Sequence, residues 1–454
     1  MNIILVGCGK IGHKIVEKLS NEKEHDITVV DLRQNVVDEL VNMYDVMGVV
    51  GDCVNADILE EAGVKEADIL IASTGSDELN FTICLLAKKM GDCQTIARTR
   101  KPEYSKTINL FKDDLGLALV INSHVEAAQE ISRNLKFPNA IQVDTFAKGR
   151  IEILKFRIPE NSVLCNMKLY EMQKKLNCEL LVCGVERETD VFIPDGNFVF
   201  KQGDLVSIVS TYKNCQDFFK KIGIKTNKVK DVVIIGGGVT GYYLAQMLLQ
   251  SGIKVKIIER DKKRCEELSV LFPKAIVING DGTDNKLLLE EGIENAGAVV
   301  ALTNIDEENI LISLFAKSKN CQKLITKINK IEFDEVIRKL DLDTIIYPKT
   351  LAAENVLRFV RAKNNSYSSS NIETIHFILD GKAEALEFKI NEKSRIVGKS
   401  LFELNIRKNV IVACINRNGK IIIPKGQDSI EVNDSVIIVT TIGGLKDIND
   451  ILEG

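Results

Sequence analysis

The chain has 454 residues, 45% of them apolar and 27% charged, with only 7 prolines, which suits several globular domains and excludes a disordered or fibrous protein. A formal net charge of −4 argues against a nucleic-acid binder, which needs a basic face to meet phosphates. Neither a signal peptide nor a membrane span is expected, because the chain opens directly on a strand-like run and its longest apolar stretches, such as 115–121, are too short to cross a bilayer. A soluble chain is therefore expected, with any membrane role passing through a partner.

Read in chain order, the first third alternates apolar runs with helical patterns, the signature of a doubly wound parallel sheet. Strands are predicted over 2–7, 27–31, 47–51, 68–72, 94–98 and 117–121, with a helix over 11–20 and an apolar helix over 127–135. From about residue 149 to 210 β-branched residues and turn signals take over, predicting a small antiparallel α+β module with a hairpin turn at Ile193-Pro194-Asp195-Gly196. A linker is predicted at 220–230. The pattern then begins again, with strands over 231–236, 254–259, 275–280, 297–302, 323–327 and 343–347, and helices over 241–249 and 352–360. A second linker, rich in serine and asparagine, covers 363–371. The last stretch, about 381–440, reads as another small module with its turn at Ile423-Pro424-Lys425-Gly426. The domains are predicted at 1–140, 141–225, 230–362 and 372–454.

The second half copies the first. Gly7-Cys8-Gly9-Lys10-Ile11-Gly12 returns as Gly236-Gly237-Gly238-Val239-Thr240-Gly241, and Asp52 returns as Asp281. Thr74, Asp77, Glu78 and Asn80 return as Thr303, Asp306, Glu307 and Asn309, always 229 residues on. The helices 127–135 and 352–360 are candidate contacts between domains or subunits, with packing inside their own domain as the alternative.

Each glycine-rich loop follows a strand and opens a helix, where the glycines allow a tight turn, the approach of a pyrophosphate and close helix–strand packing. The helix N-terminus adds unpaired N–H groups and a positive dipole end. Asp31 and Glu259 close the next strands at the spacing expected of a ribose-binding acid, which favours NAD over NADP; Arg33 and Arg260 stand close by. Asp52, Ser73, Thr74 and Arg98 lie at or beyond strand ends in the first half, as do Asp281, Thr303 and Lys327 in the second, and ligands of open α/β sheets bind beyond those ends. Arg98 and Arg100 can reach phosphates, or be solvated strand ends. Asp52 and Asp281 are either ligand contacts or helix N-caps, and Asp77 and Asp306 are read as caps. The first site is expected to hold charged phosphates more tightly, since its fifth strand ends in arginines.

No reaction chemistry stands out. The four histidines are too dispersed for a metal site, residues 149–210 contain none, and the eleven cysteines form no C-x-x-C pair, so reduced core thiols are expected. A sensor is preferred to an enzyme. The alternatives are an NAD-dependent oxidoreductase, and a cyclic-dinucleotide sensor acting through the paired small modules.

These residues together resemble the TrkA family, the cytosolic regulators of Trk potassium uptake systems. The motifs that carry the resemblance are the two glycine loops, Asp31, Gly51-Asp52, Thr74-Gly75-Ser76-Asp77-Glu78-Leu79-Asn80 and Ile96-Ala97-Arg98, with Ile258-Glu259-Arg260, Gly280-Asp281-Gly282-Thr283 and Thr303 to Asn309 in the second copy. The resemblance covers nearly the whole chain and implies two Rossmann-like RCK N-terminal (TrkA-N) domains, each followed by a small TrkA-C domain. It implies NAD+ or NADH, or ATP and ADP, as ligands, with no turnover. It also implies a homodimer or homotetramer ring beneath a Trk-type membrane subunit, at the cytoplasmic face of the cell membrane. One departure is Ser123-His124, where the family often has a proline–acid pair; Pro348-Lys349 keeps only the proline.

Overall fold

The computed structural model describes every residue except 23–24, 105–107, 109–111, 138–139, 147–150, 189, 225–228, 331–333, 341, 368–371, 380–381 and 454. The linkers expected at 220–230 and 363–371 lie partly outside the described residues. The chain divides into two compact units, one of residues 1–132 and 230–360, the other of 133–229 and 361–454.

The first unit holds two six-stranded sheets. Strands β1 (Asn2–Val6), β2 (Asp26–Asp31), β3 (Met47–Val50), β4 (Ile69–Ala72), β5 (Gln94–Arg98) and β6 (Leu117–Ile121) form a parallel sheet in the order β3-β2-β1-β4-β5-β6. The second sheet repeats the order with β12 (Asp231–Ile235), β13 (Lys254–Glu259), β14 (Ile276–Asn279), β15 (Ala298–Ala301), β16 (Leu324–Lys327) and β17 (Thr344–Ile346) as β14-β13-β12-β15-β16-β17. Their central strands are continuous apolar runs because helices cover both faces; Leu5, Ile69, Ile71 and Ile234 are fully buried. In both sheets the order reverses beside the first strand, so the glycine loop that follows it opens into the crevice at the switch point.

The two copies in this unit contact each other through side chains. Asn355 donates from Nδ2 to Glu126 Oε1 at 3.0 Å, joining the helices that follow the sixth strand of each half. Lys18 pairs with Glu354 at 3.5 Å nearby. The helices Ser123–Lys136 and Pro348–Tyr367 therefore carry contacts between the halves.

The second unit holds two five-stranded sheets, β10-β9-β11-β8-β7 and β18-β19-β22-β20-β21. The first comprises β7 (Gln142–Phe146), β8 (Ile151–Arg157), β9 (Leu181–Arg187), β10 (Asp190–Phe192) and β11 (Leu205–Ser210). The second comprises β18 (Ile372–Ile378), β19 (Ala383–Lys389), β20 (Val410–Arg417), β21 (Lys420–Ile422) and β22 (Ser435–Thr440). Each module thus starts one strand before the β-rich stretch read from sequence. The hairpin turns also differ from expectation. They fall at Arg187–Asp190 and at Asn418-Gly419, where φ of 51° and 86° suits the primed turn that a twisted ribbon prefers. Pro194 and Pro424 instead follow the ends of β10 and β21, where a residue with no N–H cannot extend a ladder. Asp204 and Asp434, each 1% exposed, receive Arg187 and Arg417 in equivalent bidentate pairs. The two modules share one apolar cluster that includes Ile151, Ile153 and Val209 from the first and Ala383, Ala385 and Val439 from the second.

All eleven cysteines are free; eight are buried, whereas Cys165, Cys178 and Cys321 are half-buried.

Candidate functional site

The chain leaves β1 into Gly7, whose φ of 86° is left-handed; a Cβ there would stand 2.7 Å from the backbone nitrogen of Thr74. Gly12 is fixed by a different constraint, since its Cβ would lie 2.2 Å from the carbonyl oxygen of Gly7, where helix packs on strand. Gly9, between them, faces open space, with nothing within 4 Å of a Cβ. It is the N-cap of the helix Lys10–Ser20, makes no side-chain cap bond, and no acid stands in the first turn. Ile11 is buried just behind it. Gly236, Gly241 and Gly238 repeat these three environments, and the helix Val239–Gln250 starts without a side-chain cap or acid as well. Gly237 fills the place of Cys8 because Leu268 and Glu259 crowd it. Two helix N-termini are thus left with unpaired N–H groups facing open space, which is what an anionic phosphate requires.

The acids at the ends of the second strands differ in what they have left to offer. Asp31 receives the backbone N–H of Cys8 at 2.8 Å and that of Arg33 at 3.0 Å, plus two bonds from the Arg33 guanidinium. Burial pushes its proton affinity up, but these bonds outweigh that and hold it below the ordinary value. All four lone-pair directions are engaged. Glu259 receives, among the described residues, the N–H groups of Gly237 at 2.7 Å and Asp261 at 2.8 Å, one per oxygen. Glu259 can accept ribose hydroxyls directly, whereas at Asp31 the exposed Arg33 side chain must move first. A crevice of ≈ 150 Å³ lies beside it, lined by Gly236, Gly238, Glu259, Asp281, Thr303 and Glu308 among others.

Asp52 and Asp281 are not helix N-caps. Asp52 receives the N–H of Val54, and Asp281 receives that of Thr283 along with its hydroxyl. The caps lie three residues on, at Asn55 and Asp284. Asp77 and Asp306 are not caps either. Each receives two backbone N–H groups of the loop after the fifth strand, those of Arg100 and Lys101 or of Asn329 and Lys330, while Ser76 caps the first helix. These buried or half-buried carboxylates brace the crevice rim.

Sequence reasoning left out Asn80 and Asn309, which the structure places at the centre of this brace. Each is fully buried, receives the N–H of Thr74 or Thr303 at 2.8 Å, and donates to the carbonyl of Arg98 or Lys327. Their recurrence at matched positions was the available signal. Ser73 is 2% exposed, packed against Gly7, and its N–H donates to Val6 O. Arg98 Nη1 lies 3.4 Å from Thr74 O, and its Nε is buried without a partner among the described residues. Lys327, 5% exposed, donates to Leu302 O, and burial pushes its ammonium down to about 8.

The departures at Ser123-His124 and Pro348-Lys349 sit on the opposite half's glycine loop. His124 Nδ1 is 2.9 Å from the hydroxyl of Thr240. Burial first, then the cations Lys327, Arg98 and Arg100, push this imidazole down to about 4. Lys349 lies close enough to Lys10 for the two charges to repel.

Comparison with known proteins agrees with this geometry. The TrkA-N domain model matches residues 3–123 and 232–348, and the TrkA-C domain model matches 153–223 and 385–453. The chain belongs to the TrkA family. "Trk system potassium uptake protein TrkA homolog 1" of Methanosarcina mazei is 30% identical over 459 residues, spanning 99% of each chain. This TrkA-family chain is also similar in fold to the structure "GsuK channel bound to NAD" (18% identity, TM-score 0.62, 97% of this chain and 76% of that one). The "human SLO3 gating ring" matches at 12% identity and a TM-score of 0.51, over 97% of this chain and 99% of that one. At those identities the likeness is one of fold.

Proposed function

We propose that this chain is a nucleotide-sensing regulatory subunit of a Trk-type potassium uptake system, binding NAD+ or NADH, with ATP or ADP as competitors, and turning nothing over. The observation that carries this reading is the pair of uncapped helix N-termini at Gly9 and Gly238, each beside a strand-end acid and both in halves that contact each other. Gly7, Cys8, Gly9, Lys10, Ile11, Gly12, Asp31, Asp52, Ser73, Thr74 and Arg98 would form the first site. Gly236 to Gly241, Glu259, Asp281, Thr303 and Lys327 would form the second. The extents 1–140, 141–225, 230–362 and 372–454 are proposed for the four domains. The relatives' names point to a membrane-embedded potassium-translocating partner, and no helix among the described residues is long and apolar enough to cross a membrane itself.

Nucleotide phosphates would bridge the first-turn N–H groups while the acids hold ribose. A ligand that prefers one arrangement of the halves biases the assembly by that preference, typically about 1–3 kcal/mol, and a dimeric or tetrameric ring would pass the bias to the gate. The test is potassium flux through vesicles that contain a Trk-type membrane subunit and the full chain, with and without NADH or ATP. Flux should change with nucleotide only when the chain is present; flux indifferent to both nucleotides would overturn the proposal.

A further inference from the structure

In an open sheet of this kind a nucleotide lies across the carboxyl ends of neighbouring strands. The order β14-β13-β12-β15 therefore lays out the second crevice as a row of stations. On the nucleotide reading above, Glu259 at the end of β13 holds the first ribose, and the glycine loop after β12 holds the phosphates. Whatever follows those phosphates arrives beyond β15, where Thr303, Asn304, Ile305 and Glu308 line the crevice. Glu308 is half-buried in the first turn of the helix Asp306–Ser318 and makes no hydrogen bond or ion pair among the described residues. We propose that Glu308 makes the second crevice selective for a dinucleotide, by accepting hydroxyls of the second ribose and repelling the terminal phosphate of ATP.

The lining of the crevice supports this. Three carboxylates, those of Glu259, Asp281 and Glu308, face one guanidinium, that of Arg260. The N–H and hydroxyl of Thr283 hold Asp281 below its ordinary value, and Arg260 adds to the effect. The other cations nearby are engaged, Arg264 by Gly237 O and Glu267, and Lys327 by Leu302 O. Glu308 thus stands beyond β15 with its charge unanswered among the described residues. An ionised carboxylate so placed binds hydroxyl donors well and makes a second negative charge costly. The first half supplies the contrast at the repeat spacing of 229 residues. It has Leu79 in place of Glu308, packed against its own apolar core, and Lys10 in place of Val239. Ser73 replaces Leu302, with its hydroxyl buried and without a partner among the described residues. The acid beside Leu79, Glu78, is already paired with Lys101. ATP is therefore admitted at the first crevice and refused at the second, while NADH fits both. An acid in the first turn also suits the helix dipole, a role that takes no account of the ligand.

This inference rests on the nucleotide reading, and one experiment separates the two. Gly9→Asp sets a carboxylate in the first loop, so that the second crevice is read alone; Gly238→Asp does the reverse. NADH fluorescence of each full-length variant is followed as ATP is added with EDTA present, so that no divalent cation masks the terminal phosphate. NADH should stay bound to Gly9→Asp at ATP concentrations that displace it from Gly238→Asp. Adding Glu308→Gln to Gly9→Asp should tighten ATP about tenfold, weaken NADH and leave melting unchanged. Glu308→Asp keeps the charge and should keep ATP out. Equal displacement of NADH from Gly9→Asp and Gly238→Asp would overturn the inference while leaving nucleotide binding intact. So would loss of all NADH binding in Gly9→Asp, or a Glu308→Gln chain whose preference is unaltered, whether or not its melting falls. Absence of NADH binding to the wild type would overturn both.

Discussion

Several side chains here are defined by what burial does to their charge. Glu152 lies on β8, 9% exposed, on the face it shares with Leu154 and Phe156, and its Oε2 has no partner among the described residues. Burial raises its carboxyl from 4.5 to about 7, against the pull of Lys136. The folded state therefore binds this proton more tightly than the unfolded chain does. Its contribution to stability is full below about pH 4.5 and is lost as pH rises through 7. Glu152→Gln should consequently raise stability at pH 8 by about 1–2 kcal/mol and change little at pH 5, as read from urea denaturation at the two pH values. Asp31, beside the first glycine loop, follows the opposite logic. Asp31 is held ionised by its hydrogen bonds, so its negative charge is present for a ribose at any pH the cell offers, and the mobile competitor is Arg33.

At the scale of elements, the parallel sheets were readable because each strand is an apolar run bounded by turn residues, and predicted and observed limits differ by a residue at most. Gly7 and Gly12 were readable for a related reason, since backbone geometry leaves no other residue there. Roles that depend on what faces a side chain were not. Asp77 follows a serine and begins a helix, which reads as a cap, yet the backbone that it holds is more than twenty residues away. His124 registered only as a departure from a pattern, because spacing carries no information about which half its helix reaches. The small modules show the same division. Gly203-Asp204 and Asn433-Asp434 could be aligned from sequence, while the arginines that they hold could not be assigned. Asp204 receives Arg187 in a bidentate pair and also the N–H of Lys201, so Asp204→Ala strands a guanidinium and a backbone donor. A loss of about 3 kcal/mol is expected in denaturant unfolding of the full chain, well beyond that of an exposed ion pair.

For the whole molecule, duplication within one chain gives what two identical subunits would give, a pair of equivalent glycine loops, and then lets the two drift apart. The crevices have diverged likewise, with Arg33 clamped on Asp31 in one and Glu259 open in the other. Such a chain can read two ligands, or one ligand at two affinities, within a single structural unit. The central claim is that backbone N–H groups at Gly9 and Gly238 grip phosphate. Both positions face open space, so Gly9→Asp and Gly238→Asp should fold normally and set a carboxylate where phosphate would approach. Equilibrium binding of NADH to the full chain is the measurement that decides. The account predicts two sites in the wild type, one in each single variant and none in the double variant, with unchanged melting in the absence of ligand. A folded double variant that binds NADH as the wild type does would contradict it.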